Sequence, residues 1–585
     1  MTTLTLLAAA LLWVALTLPL AAGVETLYFR DVFHLHFPYK AFGAAELEAA
    51  RIPALNDTWA LGQPFRGNPN TLSFYPGNLL YVVLPVWSAF NLHYALHWLG
   101  AGLAMMLLAR TLLLGRPAAA LAGLAYAGSG WMLSTLTFYN IVAVAAWWPV
   151  VMAGVVRRDR RGLVLAGLAC GMALLAGEPV TAAIGLVPLV FVAVSEHGIG
   201  RGLARVGVAG TLGLVLSAPQ WVATARIVGF SFRGAHGVLA SQASYYSLEV
   251  RRLLELVVPF PFGIPGEPGP SGLGASGLLD HLPFYFSLHF GVVALLLALT
   301  AIRLRASLAL LALAGMVLAW LGGVSGDALL DLGGGLVRFP EKLLFWVAMA
   351  VPLLAGQGLD SILRSGGTGV SRLALAGGGL AVAGTIVVVV GGGRSPIRQL
   401  AIEGRFPSPE VLEAQGTLWT LGLGAAALLL VASWWAIRSR RAEALVALQL
   451  VSARQLAPLW MTDEVAYYEN LPWSAAVVRG EAAVHARLGY PPWKLQASPP
   501  PSPAGMPYGK VRLEAMEMAP APGVLQGLQT PWHPISRACT TCSTTYSPCS
   551  WLRLRGRSVP AGWRCLAPTT WFRPTRWRAA CWCRC

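Results

Sequence analysis

Asp31 is where chemistry can begin in this chain. It stands in Arg30-Asp31-Val32-Phe33-His34-Leu35-His36-Phe37-Pro38-Tyr39, directly after the first apolar segment. An Asp with a His at i+3 puts both groups on one face of a helical turn. A carboxylate held there can orient a hydroxyl or accept its proton, and His34 can share that role. An ordinary Asp, with a pKa of about 3.9, is a weak base, so burial or a neighbouring charge would have to raise it. The plain alternative is a solvated turn in which Arg30 and Asp31 are merely neighbours.

Other candidates lie further along. Asn56-Asp57-Thr58-Trp59, Gly62-Gln63-Pro64 and Phe74-Tyr75-Pro76 are, taken alone, turn chemistry. Gly177-Glu178-Pro179 breaks the chain between two apolar segments, and Glu178 faces either a polar cavity or the headgroup layer. Arg226 and Arg233 follow Pro219-Gln220-Trp221, and Arg338-Phe339-Pro340-Glu341-Lys342 opens a later apolar segment. Arg forks match phosphate oxygens, so a lipid phosphate would account for cations at these positions. Snorkelling to headgroups would account for them as well.

These residues are held by an apolar ladder running from Leu4 to about Trp460. The 585 residues are 56% hydrophobic and 12% charged, against about 25% charged in soluble domains. A crossing helix needs about 20 apolar residues. The sequence predicts an all-α polytopic membrane protein of about 13 spans with long external loops. The spans fall near 4–23, 91–113, 118–137, 140–156, 162–178, 180–196, 203–223, 283–302, 306–323, 342–360, 373–391, 416–437 and 442–459. The segment 4–23 lacks a basic start and reads as a span, not as a signal peptide. Short arginine-bearing turns, such as the one from Arg157 to Arg161, fall on one side if each span is crossed in order. That side is the cytoplasm by the charge bias of short loops, and the amino terminus starts there. The loops 24–90 and 226–282 then face outward, with 72–90 as an interfacial or re-entrant stretch.

The membrane domain covers 1–460 and a partial external domain 461–530. The tail 531–585 has a different character. It carries seven of the 8 cysteines, is rich in Trp and Arg, and has no acidic residue. One CxxC, Cys539 to Cys542, is too little for a zinc site. The composition is that of out-of-frame translation, which makes the formal charge of +17 no argument for nucleic acid as a partner.

The order of motifs resembles the YfhO-type bacterial membrane proteins over roughly residues 1–480. It runs from a span through Arg30-Asp31, Asn56-Asp57-x-Trp59 with Gly62-x-Pro64, and Phe74-Tyr75-Pro76. It continues through the break at 177–179, Ser231-Phe232-Arg233, and Arg338 to Lys342. That family is similar in architecture to the C-type (GT-C) glycosyltransferases, which take a sugar from a polyprenyl phosphate outside the cytoplasmic membrane. The resemblance implies an acceptor role for Asp31, donor and substrate contacts at Asp57, Glu178, Arg233, Arg338 and Lys342, and a cell-envelope glycan or polymer as acceptor. The chain departs from the family at 178, where Glu replaces an expected His, and after about 500. No Gly-rich nucleotide loop is present, in keeping with a lipid-linked donor. A divalent cation is compatible with such chemistry, but no residues have clear metal-ligand spacing, and no other cofactor is implied. Two other functions fit a membrane bundle. A lipid or glycan transporter or flippase would need ionisable residues inside several spans. A non-catalytic envelope assembly protein would need no carboxylate at Asp31.

Overall fold

Apolar sequence on this scale satisfies its backbone by coiling into helices, and in the computed structural model it does so almost throughout. The structure describes residues 2–465 apart from 57–62, 232–243, 268, 274–276, 280, 325–337, 392–398 and 400–406. Nearly all of the expected external domain, and the whole tail, lie outside the described residues.

Eight helical stretches are long and apolar enough to cross a membrane. They are Val86–Thr111, Tyr139–Val156, Pro179–His197, Ile199–Val228, Ala306–Gly323, Pro340–Ser365, Gly369–Gly391 and Pro409–Arg438. The chain is thus an all-α protein with the helices of a membrane protein. The other expected spans also hold helices: Thr2–Ala21, Arg116–Ala127 with Gly130–Thr135, Arg160–Leu175, Val292–Ala301 and Ala442–Ala453.

Two of these differ from expectation for visible reasons. The segment 118–137 is not one helix. It breaks after Ala127, where Ser129 starts a new turn by accepting from Met132 N at 3.1 Å. The segment 283–302 is helical only from Val292. Residues 284–290 run without regular structure although every one is buried. Buried backbone needs partners, and side chains supply them. Tyr285 N donates to Glu341 Oε2 (3.1 Å), Phe286 N to Ser134 Oγ (2.9 Å) and Leu288 N to Glu255 Oε2 (3.0 Å). The span expected from 91 starts earlier, at Val86, where Pro85 in extended conformation ends the preceding short helix Leu80–Val83.

Burial separates central from peripheral helices. Pro340–Ser365 is 94% buried over its most apolar window and Tyr139–Val156 89%, whereas Ile199–Val228 and Gly369–Gly391 are 22% buried. A helix apolar on all sides and enclosed is a core helix. The outer helix Ile199–Val228 packs on Arg160–Leu175 through small residues. A Cβ on Gly167 or Gly171 would press on Leu212 or Leu216, and one on Gly213 would meet Cys170. Close approach of this kind is how helices associate in lipid.

One small sheet fixes the exit of the first helix. Glu25–Leu27 pairs antiparallel with Thr462–Glu464, with Thr26 opposite Asp463. Asn91 holds the same strand from the helix Val86–Thr111, donating to Glu25 O at 2.8 Å and accepting from Thr26 Oγ1 at 2.9 Å. The residues that follow, Tyr28 to Asp31, therefore leave from a fixed frame.

Candidate functional site

Arg30 is the first residue after that frame with a special backbone, at φ 63°. A left-handed non-glycine residue is uncommon and needs support from its surroundings. Here the guanidinium supplies it. Arg30 Nη1 donates to Pro283 O (3.1 Å) and Phe284 O (2.7 Å). Its plane lies 5.1–5.5 Å from the ring centres of Phe138, Tyr246, Phe284 and Phe286. The plain alternative, a solvated turn with Arg30 and Asp31 as neighbours, does not describe the Arg30 guanidinium. Arg30 is bound to carbonyls and ring faces instead.

Asp31 follows as the N-cap of Val32–His36, a π-type turn closed by Phe37 N on Val32 O. The i+3 alignment expected of an α-turn is not the geometry of such a turn, and the His34 side chain lies outside the described residues. Asp31 is half-buried and caps nothing with its side chain. Among the described residues its carboxylate has no hydrogen bond or ion pair. Its charge is felt by Tyr94, whose buried hydroxyl likewise has no hydrogen-bond partner there.

The break at 177–179 and the motif at 338–342 meet. Glu178 Oε2 accepts from Thr181 N at 2.5 Å, capping the short helix Pro179–Ile184. Its other oxygen accepts from Lys342 Nζ at 2.6 Å. Burial opposes the charge on Glu178, but Lys342 and the Thr181 bonds outweigh it and hold the carboxyl below its usual range. Gly177, at φ 84°, allows the turn, since a Cβ there would strike Pro69 O. Lys342 also lies 5.5 Å from the Phe284 ring centre, the same distance as Arg30. Arg338 stacks on the ring of Phe339 at 4.2 Å, and Phe339 packs against Phe284 and Tyr246. Phe284 thus joins Arg30, and with it Asp31, to Arg338, Lys342 and Glu178. Asp57 and Arg233 lie outside the described residues.

Two clusters went unread in the sequence. Arg252 is buried between two carboxylates, donating to Glu255 (2.7 and 2.9 Å), to Glu341 (2.5 Å) and to Tyr285 O (2.6 Å). One guanidinium faces two acids here. Burial pushes the Glu255 carboxyl up, to about 7, against the pull of Arg252. The only signal was three charged residues in loops flanked by aromatics. Lys40 is the second case, buried with neutral acceptors alone. Among the described residues no group of three His, Cys, Asp or Glu is placed to hold a metal.

Among the described residues the arrangement offers an unpaired carboxylate beside an aromatic cluster that carries three cations and one paired acid. Such a site can attract an anionic group and place a proton acceptor next to it. No family model and no curated protein sequence matches the chain.

Proposed function

We propose that the chain is a YfhO-type, GT-C-like glycosyltransferase with a bundle of about 13 spans. On this reading it lies in the bacterial cytoplasmic membrane with its amino terminus in the cytoplasm. It moves a sugar from a polyprenyl phosphate to a hydroxyl of a cell-envelope glycan or polymer on the outer side. The observation that carries the reading is the Asp31 carboxylate, unpaired among the described residues and next in chain to an Arg30 that shares the Phe284 ring with Lys342.

In this scheme the acceptor oxygen forms a bond to the anomeric carbon as the bond from that carbon to the phosphate oxygen breaks. The electron pair leaves with the phosphate, and the acceptor proton passes to Asp31. Arg338, with Arg233, holds the phosphate where charge develops. Glu178 fixes Lys342 at the edge of that field. Arg30 positions Asp31 and adds positive potential, because its own donors already serve carbonyls.

The test is transfer from a radiolabelled polyprenyl-phosphate sugar in proteoliposomes. Asp31→Asn should abolish transfer and leave insertion and unfolding temperature unchanged. Wild-type transfer in that variant would remove Asp31 from the role. A flippase is the second reading, and one observation favours it: His93 and His97 lie one turn apart in the apolar helix Val86–Thr111, ring to ring at 4.1 Å. Movement of a fluorescent lipid-linked sugar across the same vesicles, undiminished in Asp31→Asn, would support it.

A further inference from the structure

The turn between the helices Tyr139–Val156 and Arg160–Leu175 places Arg157, Arg158, Arg160 and Arg161 around a single acid, Asp159. Asp159 is fully engaged. It accepts from Arg157 Nε and Nη2 (3.1 and 2.7 Å) and caps the second helix by accepting from Gly162 N (2.9 Å). The start of the helix Ile199–Val228 is tied to the same turn. Arg205 donates to Val155 O (2.8 Å) and to Arg157 O, and His197 Nε2 donates to Val155 O (2.9 Å). Glu196, the acid beside His197, is held by Arg305 at 3.2 Å.

Arg157 and Arg205 therefore serve the fold. Arg158, Arg160, Arg161 and Arg201 do not. All four are exposed, and none has a hydrogen bond or ion pair among the described residues. Three of them stand where a helix disfavours a cation. Arg160 and Arg161 lie in the first turn of Arg160–Leu175, and Arg201 lies in the first turn of Ile199–Val228. The helix dipole is positive at that end. The charges repel the helix ends and one another, and the two neighbouring acids are already committed.

The surface below them is open and apolar. Arg160 precedes Gly167 by seven residues, and Arg201 precedes Leu212 by eleven. These spacings are about two and about three helical turns. Gly167 and Leu212 are in contact, since a Cβ on Gly167 would press on the Leu212 side chain. Arg160 and Arg201 thus head the seam between the two helices. Val164 and Leu168 on one helix, and Val208 and Val215 on the other, are exposed along it. A soluble anion has no use for such a floor. A phosphate that carries an acyl chain uses both parts, the guanidinium forks and the apolar seam.

We infer that this seam binds an anionic phospholipid, with its phosphate at Arg160, Arg161 and Arg201 and an acyl chain along the exposed valines and leucine. The inference goes beyond the transferase reading and does not depend on Asp31 or on which side the turn faces.

The experiment is photo-crosslinking of the full chain in an uncharged detergent. The probes are phosphatidylglycerol and phosphatidylcholine with the same diazirine-bearing acyl chain, and labelled peptides are mapped by mass spectrometry. One basic residue near an anionic headgroup is worth about fivefold in affinity. Phosphatidylglycerol should therefore label the stretches 164–168 and 208–215 at about 25-fold or more lower concentration than phosphatidylcholine. Arg160→Gln with Arg201→Gln should remove about that factor. Both positions are exposed, so this variant should keep the wild-type unfolding temperature in the same detergent. Arg438→Gln, at the end of another helix, should label the seam as the wild type does, and so should Asp31→Asn. Glycerol 1-phosphate in large excess should fail to displace the lipid. Equal labelling by the two lipids, labelling that misses both stretches, or labelling unchanged in the double variant would overturn the assignment. An equal loss in Arg438→Gln would reduce it to general surface charge. Displacement by glycerol 1-phosphate would reduce it to a simple anion site.

Discussion

Lys342 and Glu178 stand 164 residues apart and meet at 2.6 Å, with 8% and 12% of their side chains exposed. The pair ties the break before Pro179–His197 to the entrance of the most buried helix. Removing one member of a buried ion pair leaves a lone charge, which costs about 3–5 kcal/mol. Glu178→Gln and Lys342→Met should each lower stability by about that amount. The double variant should lose clearly less than the sum, since both charges go together. Unfolding of the purified protein in detergent reads this directly. Additive losses would mean the two residues act independently.

Arg30 makes its contacts through shape as much as charge. Two carbonyls and four rings surround its fork. A lysine keeps the charge but offers neither the fork nor the plane. Arg30→Lys and Arg30→Ala should therefore both destabilise the fold, each by about 1–3 kcal/mol. Both should also reduce transfer, through misplacement of Asp31. Full transfer activity in Arg30→Lys would show that charge alone matters there.

How far the sequence could be read is clear from particular residues. Apolar length located the helices Tyr139–Val156 and Ala306–Val324 within a few residues, because hydropathy and backbone satisfaction act locally. The irregular course of residues 284–290 could not be read that way. Its hydrogen bonds come from Ser134, Glu255 and Glu341, which are far away in sequence. Motif reading singled out Glu178 and Lys342 as separate ligand contacts, whereas the structure makes them partners. Pairing across 164 residues leaves no local trace. In the sequence Lys40 is only a cation in a loop expected to face outward; its burial follows from the turn 65–78 folding over it, which no periodicity reveals.

Ser134 offers a test of that irregular segment. Its hydroxyl donates to Gly130 O at 2.6 Å and accepts from Phe286 N at 2.9 Å. Ser134→Ala leaves a buried N–H with no acceptor, at a cost of about 1–3 kcal/mol. Gly130→Ala should also destabilise, because the new Cβ would lie 2.6 Å from Ser287 O. Hydrogen exchange should show the Phe286 amide exposed more readily in Ser134→Ala than in the wild type. Unchanged protection of that amide would mean that another group satisfies it.

Lys40 gives the last prediction, a stability that depends on pH in a definite direction. Its pKa lies near 7 in the folded protein, against 10.5 for an ordinary lysine. Below pH 7 both states carry the charge, and the folded state bears the full cost of burying it. Between pH 7 and 10.5 the unfolded chain still binds the proton while the folded protein has released it. The unfolded state then holds more protons, so stability rises with pH across that window. Lys40→Met loses the hydrogen bonds to Thr71 O and Asn78 Oδ1 at every pH but has no such slope. The stability of wild type relative to Lys40→Met should therefore increase between pH 7 and 10, by an amount on the order of a few kcal/mol. His36 does not interfere, because burial, followed by the charge of Lys40, holds its pKa near 3 and its own window closes by 6.5. Unfolding in detergent at stepped pH measures the difference. A gap that stays constant from pH 7 to 10 would mean that Lys40 keeps its proton in the fold, and so has a counter-charge that the described residues do not provide.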